Sequence, residues 1–488
     1  MKIILTLFVL LLSVTMISQE NEITTKLYET YKKYKEPTLE KRRIKHRDLQ
    51  PLIAKLKSDP KYTVQKVGES IEGRGLSLIS VGTGKVNVFL WSQMHGDEPT
   101  ATQAIFDIIN FINSKDFVEE KAAILKNATL HFLPMLNPDG AEVYTRRNRL
   151  GIDLNRDALR LQSPESRTLK RVRDSLQADF GFNLHDQSTY YNAERTEKPA
   201  TISYLAPAYN YEKEINTVRA DAMRVIVYMN NIIQKYAKGQ VGRYNDDFEP
   251  RAFGDNIQKW GTSTILIESG GYLNDTEKQE IRKLNYVSIL SAIYTIANGE
   301  YKKISIEEYE KIPQNDRKLF DLKIKGITYK LLGNDYKIDI GINQIEIDNK
   351  SHTEFYNIGY VKDLGDLSTY YGYQTIEATG YTLVEGKIYP NILKTEKSLK
   401  KLDIYKLLQL GYTYVKVKQL PNRKETNLPI NIVTTSFKVP TLDIKEGINP
   451  TFLLQKNGEI THAVINGNLI DLKTKENKSN FKNGLILK

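Results

Sequence analysis

The chain has 488 residues, a formal net charge of +11 at pH 7 and no cysteine. This length exceeds one ordinary domain, and the lack of cysteine excludes disulfide bonds and a lipid anchor carried by cysteine. In an exported protein, such a composition favours a bacterial envelope or medium. Because the lysines are scattered, we expect the positive charge to contribute to solubility and to a loose attraction to anionic polymers. We expect no nucleic-acid partner.

The N-terminal segment is apolar and nearly uncharged over residues 1–19, for a length too short to span a bilayer comfortably. We predict a secretory signal peptide, cleaved near Ser18 or Gln19, and a secreted, periplasmic or cell-envelope location. An uncleaved anchor is the alternative, and no membrane span is expected in the mature form. Residues 20–60 are predicted to be a helical N-terminal segment, whose basic run 41–47 we interpret as a solvated face.

The first candidate for chemistry is a strand, a loop and a helix in succession. An apolar strand is predicted from Val86, and the loop behind it contains His95 and Glu98. After Pro99, apolar residues recur at helical spacing. An imidazole and a carboxylate three residues apart can both bind one zinc ion, although this pattern alone is common by chance.

Further polar groups follow in chain order. The sequence Asn137-Pro-Asp-Gly140 closes an apolar run, and the arginine-rich stretch Arg146–Arg156 comes next. His185 ends an apolar run at 180–185 and would complete a two-histidine, one-carboxylate site with one position left for water. The alternative for such a histidine is a hydrogen-bonded structural role. Glu268 ends the apolar strand 263–268, where burial would raise its pKa towards that of a general base.

As a set, these motifs resemble the zinc metallocarboxypeptidases of the carboxypeptidase A type, over roughly half the chain, from about residue 61 to 297. The resemblance implies that His95, Glu98 and His185 bind one zinc ion per chain. It also implies that Glu268 is the general base that acts on the water at the metal.

The same resemblance implies roles in substrate binding. Arg146 would polarise the scissile carbonyl, and Asn155 and Arg156 would hold the terminal carboxylate of the substrate. Asp153 would orient His95. An exposed basic loop is the alternative for the arginines at 146, 147 and 149.

Several positions depart from the family pattern. Asp97 stands where some digestive members carry an arginine, and Asp157 follows Arg156 where asparagine is usual. Tyr244 is the candidate for the family's mobile tyrosine, with Phe248 competing for the position. Asp255 would either be structural or select basic side chains.

The predicted fold class is α/β. Residues 61–299 are expected to form a carboxypeptidase-like catalytic domain with a mixed central sheet flanked by helices. In chain order we predict a helix at 165–178, strands at 180–185 and 201–206, a helix at 211–237, a strand at 263–268 and a helix at 276–297. Residues 300–488 alternate short polar and apolar runs with turn signals, which predicts a β-rich accessory region of unknown role, with a helical patch near 396–410.

The favoured function is that of a secreted zinc-dependent exopeptidase that hydrolyses C-terminal peptide bonds of peptides or cell-wall stem peptides. A zinc amidohydrolase that deacylates N-acyl amino acids is one alternative, because deacylases of related fold also begin with a His-Gly-x-Glu loop. A non-enzymatic binding protein on a peptidase scaffold is another. The intact His95, Glu98, His185 and Glu268 argue against the latter.

Overall fold

The computed structural model describes residues 22–474, 484 and 486–487. The predicted signal peptide, residues 1–19, lies outside the described residues. By their contacts, the described residues divide into two units, the first with residues 22–194 and 198–316 and the second with 195–197 and those from 317 onward. Among the described residues, no helix has both the length and the apolarity that crossing a bilayer requires.

Helices and strands alternate along the first unit. Its α-helices are α1 (22–30), α2 (His46–Lys57), α3 (Thr100–Asn113), α4 (Val118–Asn127), α5 (Pro138–Glu142), α6 (Pro164–Leu176), α7 (Thr217–Ile233), α8 (Phe253–Lys259) and α9 (Gln279–Asn298). Short 3-10 helices lie at Tyr31–Lys33, Leu154–Arg156, Glu300–Lys303 and Ile306–Lys311. The strands are β1 (Tyr62–Glu69), β2 (Gly75–Val81), β3 (Val86–Ser92), β4 (Ala128–Leu133), β5 (Phe180–Asp186), β6 (Asn192–Ala193), β7 (Ile202–Leu205), β8 (Val241–Arg243), β9 (Ser263–Ser269) and β10 (Asn315–Asp316).

The central sheet of this unit has the strand order β1-β2-β4-β3-β5-β9-β7-β8. Its middle strands β4, β3, β5 and β9 run parallel, whereas β1, β2 and β7 each make antiparallel pairs. Residues 315–316 add a two-residue antiparallel pair with β6. The prediction of a mixed α/β sheet is therefore confirmed.

Helices cover both faces of the sheet. Along β3, Val88 and Leu90 join the cluster that contains α3, α7 and α9, while Phe89 and Trp91 point to the cluster that contains α6 and α8. A strand that is buried on both faces must be apolar at successive positions, which is why β3 reads as a continuous hydrophobic run. Helix α7 starts later than predicted because the Asn216 side chain caps it, accepting from the Arg219 N–H at 2.9 Å.

The segments that flank the predicted catalytic range also belong to the first unit. Tyr31 and Ile44 on the N-terminal side, and Tyr301 and Tyr309 on the C-terminal side, are buried in the same core cluster as the sheet. By contacts, this unit therefore extends from residue 22 to 316, beyond the range 61–299 that was predicted for the catalytic domain.

The interpretation of the basic run 41–47 as a solvated face was wrong. Arg42, Arg43 and Lys45 are buried. The Lys45 ammonium donates to the backbone carbonyls of Ala141 and Glu142, at 2.9 and 2.8 Å. Burial of these cations is possible because carbonyl oxygens and aromatic rings replace the water that they lose.

The second unit is β-rich, as the sequence predicted. Its strands are β11 (Leu319–Leu331), β12 (Asn334–Asp348), β13 (Phe355–Gly365), β14 (Tyr371–Glu377), β15 (Thr382–Val384), β16 (Lys387–Ile388), β17 (Leu393–Thr395), β18 (Tyr412–Gln419), β19 (Asn431–Val433), β20 (Phe452–Lys456), β21 (Glu459–Ile465), β22 (Asn468–Asp471) and β23 (Ile486–Leu487). The predicted helical patch is present as a 3-10 helix at Glu396–Lys401 and α10 (Ile404–Gln409).

Two sheets organise these strands. The larger follows the order β13-β12-β11-β15-β20-β21-β22, with β14 also paired to β11, and the smaller follows β16-β18-β19-β23, with β17 paired to β18. One buried cluster lies within the larger sheet and includes Ile324 and Phe452. A second combines Val415 and Ile432 of the smaller sheet with Leu453 of the larger.

Candidate active site

Three neighbouring parallel strands deliver polar side chains to one edge of the central sheet. His95 and Glu98 lie in the loop after β3, His185 lies at the end of β5, and Glu268 lies at the end of β9. Carboxyl ends of parallel strands are where sheets of this class bind ligands. The structure thus brings together the four residues on which the sequence argument rests.

Close packing fixes the loop that carries His95 and Glu98. The backbone N–H groups of Leu136 and Asn137 donate to the carbonyls of Ser92 and Gln93 at 3.1 and 3.0 Å. At Gly96, an added Cβ would lie 2.1 Å from the Gly140 carbonyl carbon, so only glycine allows the loop to approach α5 this closely.

His95, Glu98 and His185 form one compact group, whose potential ligand atoms all lie within 4.8 Å of one another. The Nδ1 atom of His95 is 2.7 Å from Glu98 Oε1, and the Nδ1 atom of His185 is 2.7 Å from Glu98 Oε2. The two Nδ1 atoms are 3.2 Å apart. All three side chains are buried.

This group suits a zinc ion. Two imidazole nitrogens that face each other across a carboxylate offer the N and O donors that zinc binds at about 2.0–2.2 Å. The other nitrogen of His95, Nε2, lies 3.1 Å from Asp153 Oδ1. An N–H donated to that carboxylate leaves the Nδ1 lone pair available to a metal, which is how ligand histidines are usually oriented.

Each charge in this group shifts the pKa of its neighbours. Burial lowers the pKa of His95, but Glu98 and Asp153 outweigh it and raise that pKa to about 9. Burial raises the pKa of Glu98, but the two histidines outweigh it and hold the pKa well below the usual value. Because a histidine binds a metal in its neutral form, a cation at this group competes with a proton for His95.

Arg146 lies at the mouth of the group. Its Nε donates to Asp153 Oδ2 at 3.0 Å, and its Nη1 donates to Glu98 Oε1 at 3.2 Å. Its side chain is 43% exposed, so a ligand can reach it. Arg147 and Arg149 point elsewhere, the first to the Gly151 carbonyl and the second to Glu72, both at the surface.

Glu268 is buried beside the ligand group. It is in register with His185 on the adjacent strand, so the two side chains share one face of the sheet. Burial raises its pKa well above the usual value, and the negative charge of Glu98 adds to this effect. A carboxyl group with a raised pKa is suited to accept a proton.

The residues expected to bind a substrate carboxylate lie on the short helix that follows Asp153. Asn155 Oδ1 accepts from the backbone N–H of Phe253 at 2.8 Å. The Arg156 side chain is 40% exposed, and its Nε is 3.5 Å from Glu249 Oε2. Asn155 is linked to His95 through Asp153, whose Oδ1 accepts from the Asn155 backbone N–H at 2.9 Å and lies 3.1 Å from His95 Nε2.

Tyr244 is better placed than Phe248 for a role in this site. Burial raises the pKa of Tyr244, and the charges of Glu268 and Glu98 raise it further. Its ring packs against Tyr191, with ring centroids 6.0 Å apart. Phe248 instead packs edge-on against Tyr211 with ring centroids 5.1 Å apart.

Asp255 has a structural partner. Its Oδ1 accepts from the backbone N–H of Glu249 at 3.0 Å, and burial raises its pKa to about 7.

Two motifs that the sequence singled out have structural roles. Asn137 Oδ1 accepts from the Gly140 N–H at 2.9 Å, and buried Asp139 accepts from Ser70 and Arg74. Asp157 accepts from the backbone N–H groups of Gln162 and Ser163, both at 2.9 Å.

Sequence reasoning missed three polar residues close to the site: Thr100, Asp186 and Lys278. Asp186 follows His185 directly, and a second ionisable group at the end of an apolar strand was the signal available for it. Thr100 and Lys278 stand at helix starts and carried no comparable signal.

Comparison with known proteins supports the resemblance seen in the motifs. The family model described as Zinc carboxypeptidase matches residues 51–240. Carboxypeptidase SOL1 of Arabidopsis thaliana is 30% identical over 161 residues, which are 29% of this chain and 33% of that protein. Carboxypeptidase E of Caenorhabditis elegans is 31% identical over 120 residues, which are 20% of this chain and 25% of that protein. The matches thus span a third or less of these relatives.

Solved structures of similar proteins include a metallo-carboxypeptidase from Burkholderia cenocepacia, with 16% identity, a TM-score of 0.43 and coverage of 52% of this chain and 69% of that one. Carboxypeptidase A from Helicoverpa armigera has 16% identity, a TM-score of 0.42 and coverage of 59% and 82%.

Proposed function

We propose that this chain is a zinc-dependent exopeptidase that cleaves C-terminal peptide bonds. The match of residues 51–240 to the zinc carboxypeptidase family model supports this proposal. The observation that carries the proposal is the convergence of His95, Glu98 and His185 within 4.8 Å, with Glu268 on the adjacent strand. Glu268 lies outside the matched span, so its role rests on this geometry and on the motif resemblance.

Zinc held by His95, Glu98 and His185 would supply a Lewis acid and lower the pKa of a water molecule to near neutrality. Glu268 is the proton acceptor for that water. Its buried position supports this role, because a desolvated carboxylate is a stronger base than one in water. As the carbon–nitrogen bond breaks, the same carboxyl group gives that proton to the leaving nitrogen, so the product departs as a neutral amine.

Arg146 acts on the scissile carbonyl group, whereas Asn155 and Arg156 bind the terminal carboxylate of the peptide. Arg146 stabilises the negative charge that develops on the scissile carbonyl oxygen, since its exposed guanidinium faces the ligand group. Arg156 pairs with the terminal carboxylate, and the Asn155 amide lies beside it. In the free protein Glu249 occupies part of this position, so substrate carboxylate competes with it for Arg156.

Peptides or cell-wall stem peptides are the proposed substrates, and export to the cell envelope or medium is the proposed location. The apolar segment at residues 1–19 supports export, and in an exported protein the absence of cysteine favours a bacterial envelope or medium.

The test is a substrate profile of the purified full-length chain, with zinc and after its removal by a chelator. We expect free C-terminal amino acids from peptides, lost on chelation and restored by zinc. Glu268→Gln is the matched variant, because it keeps the shape but removes the proton acceptor. Its kcat should fall by about 10²–10⁴-fold while zinc content stays at one per chain.

Other outcomes would reassign the chain. Release of carboxylate from N-acyl amino acids, without cleavage of peptides, would make it a deacylase. Zinc binding without hydrolysis of either class would favour a binding protein. Loss of zinc in Glu268→Gln would recast Glu268 as a ligand.

A further inference from the structure

A buried lysine that the reaction above does not use lies directly behind the site. Lys278 precedes α9 and is 5% exposed. Its Nζ donates to Asp186 Oδ2 at 3.1 Å and to the Ser269 carbonyl at 2.8 Å. Asp186 is next to His185, and Ser269 is next to Glu268. One ammonium group therefore connects the ends of β5 and β9.

Asp186 extends this connection to the loop after β3. Its Oδ2 also accepts from the Thr100 hydroxyl at 2.6 Å, two residues beyond Glu98. Its backbone N–H donates to Glu98 Oε2 at 3.2 Å. The series Thr100, Asp186, Lys278 and Ser269 thus joins the three chain segments that carry the ligands and the base.

The two candidate ligand histidines differ in what orients them. The far nitrogen of His95 has Asp153 as its partner, whereas His185 Nε2 is buried without a hydrogen-bond partner among the described residues. Apart from the contact of Nδ1 with Glu98, the position of the His185 ring therefore depends on the backbone at the end of β5. That backbone pairs with β9, and the Asp186 side chain links it further to Thr100 and Lys278.

We propose that Lys278 is a positioning residue, which holds the ends of β5 and β9 so that His185 binds zinc and Glu268 faces the substrate. The expected effect of Lys278 on kcat rests on the proposed function, whereas its expected effect on zinc affinity does not. The alternative is that Lys278 only neutralises the buried Asp186.

The first test is Lys278→Met in the full-length chain, with zinc affinity measured by chelator competition and kcat and KM measured on a peptide substrate. We expect zinc to bind about 10–100-fold more weakly, as for other outer partners of metal ligands. We expect kcat to fall by about 10-fold or more with KM nearly unchanged, since Lys278 does not contact the substrate groups. Lys55→Met, an exposed lysine on α2, is the matched control and should change neither.

The double variant Lys278→Met with Asp186→Asn separates positioning from charge neutralisation. It removes the uncompensated carboxylate, so the melting temperature should recover while zinc affinity and kcat stay low, because the link to Ser269 is still missing. Recovery of all three quantities would overturn the proposal. The milder Thr100→Val keeps both charges and should weaken zinc binding in the same direction.

Zinc binding and peptide cleavage by the wild-type chain distinguish failure of this inference from failure of the proposed function. Wild-type chain that binds zinc but cleaves no peptide would defeat the proposed function, and the zinc affinity of Lys278→Met would still decide this inference. Wild-type chain that binds no zinc would defeat both. A folded Lys278→Met protein with zinc affinity and kcat within twofold of wild type would overturn the inference alone.

Discussion

At the scale of single residues, the chain's buried histidines have different environments. The His185 Nδ1 faces Glu98 and His95, whereas His131 on β4 lies near Ser80 Oγ at 2.8 Å and Asn87 Oδ1 at 3.2 Å. Both nitrogens of His131 are thus engaged by neutral polar groups. It is a core histidine, whereas His185 faces a carboxylate and another imidazole.

We therefore expect His185→Ala to lose stoichiometric zinc, because only His95 and Glu98 remain as ligands. His131→Gln is the matched control and should retain one zinc per chain. Metal analysis of the two proteins after dialysis distinguishes them. Full zinc content in His185→Ala would remove His185 from the metal site.

His131 should also make the stability of the protein depend on pH. Burial lowers its pKa from 6.5 to about 4. Between these values the unfolded chain binds the proton and the folded chain does not, so stability falls as the pH falls from 6.5 towards 4. The full difference corresponds to about 3 kcal/mol.

Urea unfolding of zinc-free wild type and His131→Gln at pH 7 and pH 4.5 would measure this contribution. We expect the free energy of unfolding to fall by about 2 kcal/mol less in the variant than in wild type over that interval. Equal losses in the two proteins would show that His131 titrates as freely in the folded chain as in the unfolded one.

The roles of single residues could be predicted from the sequence where an ionisable side chain ended an apolar strand, as with His185 and Glu268. A role could not be predicted where it arises from a tertiary contact. Lys278 is one of many lysines in the sequence, and only the fold places it against Asp186. Asn155 was expected at the substrate, yet its side-chain oxygen is also used to hold Phe253.

At the scale of elements, the strands were predictable because burial on both faces makes β3, β5 and β9 continuously apolar. The basic run 41–47 was misread because charge alone does not show that backbone carbonyls and rings lie opposite. The pairing of β11 with both β12 and β14 could not be predicted, since many short alternating segments compete as partners.

The basic run supports the segment that carries Arg146. Arg43 is buried, and its guanidinium carbon lies 4.1 Å from the centre of the Tyr144 ring. Tyr144 has a φ of 48°, a left-handed conformation that side chains rarely adopt without support. Two residues later, the Arg146 carbonyl accepts from Asn137 Nδ2 at 3.3 Å.

We expect Arg43→Ala to lower kcat by about 10-fold, because Tyr144 and with it Arg146 lose their support, and to lower the free energy of unfolding by about 1–2 kcal/mol. Arg47→Ala is the matched control from the same basic run, since the Arg47 side chain is 71% exposed. Steady-state kinetics and urea unfolding measure both effects. Similar values for the two variants would refute the link between the run and Arg146.

At the scale of the whole molecule, the first unit contains everything that the proposed chemistry needs. Its main core cluster includes residues from Ile23 to Ile312. His95, Glu98, His185 and Glu268 all belong to the first unit. We infer that a chain that ends at Asp316 keeps a complete core. A chain that ends earlier would lose part of that core.

Residues 300–316 provide packing that a chain ending at Gly299 would lose. Tyr309 is 1% exposed, and its hydroxyl accepts from the Ala206 N–H at 3.0 Å. Ile312 is buried as well, and the Arg243 N–H donates to the Pro313 carbonyl at 2.6 Å. Each buried large side chain contributes about 1.5–3 kcal/mol, against a total stability of about 5–15 kcal/mol.

We therefore expect the chain truncated after Asp316 to bind one zinc and to unfold cooperatively, and the chain truncated after Gly299 to be largely unfolded or to aggregate. Circular dichroism on heating, gel filtration and metal analysis would compare the two. Equal stability of both chains would place the boundary of the folding unit near 299, as the sequence suggested. Failure of both chains to fold would mean that the first unit requires the rest of the chain, although its main core cluster contains only residues up to Ile312.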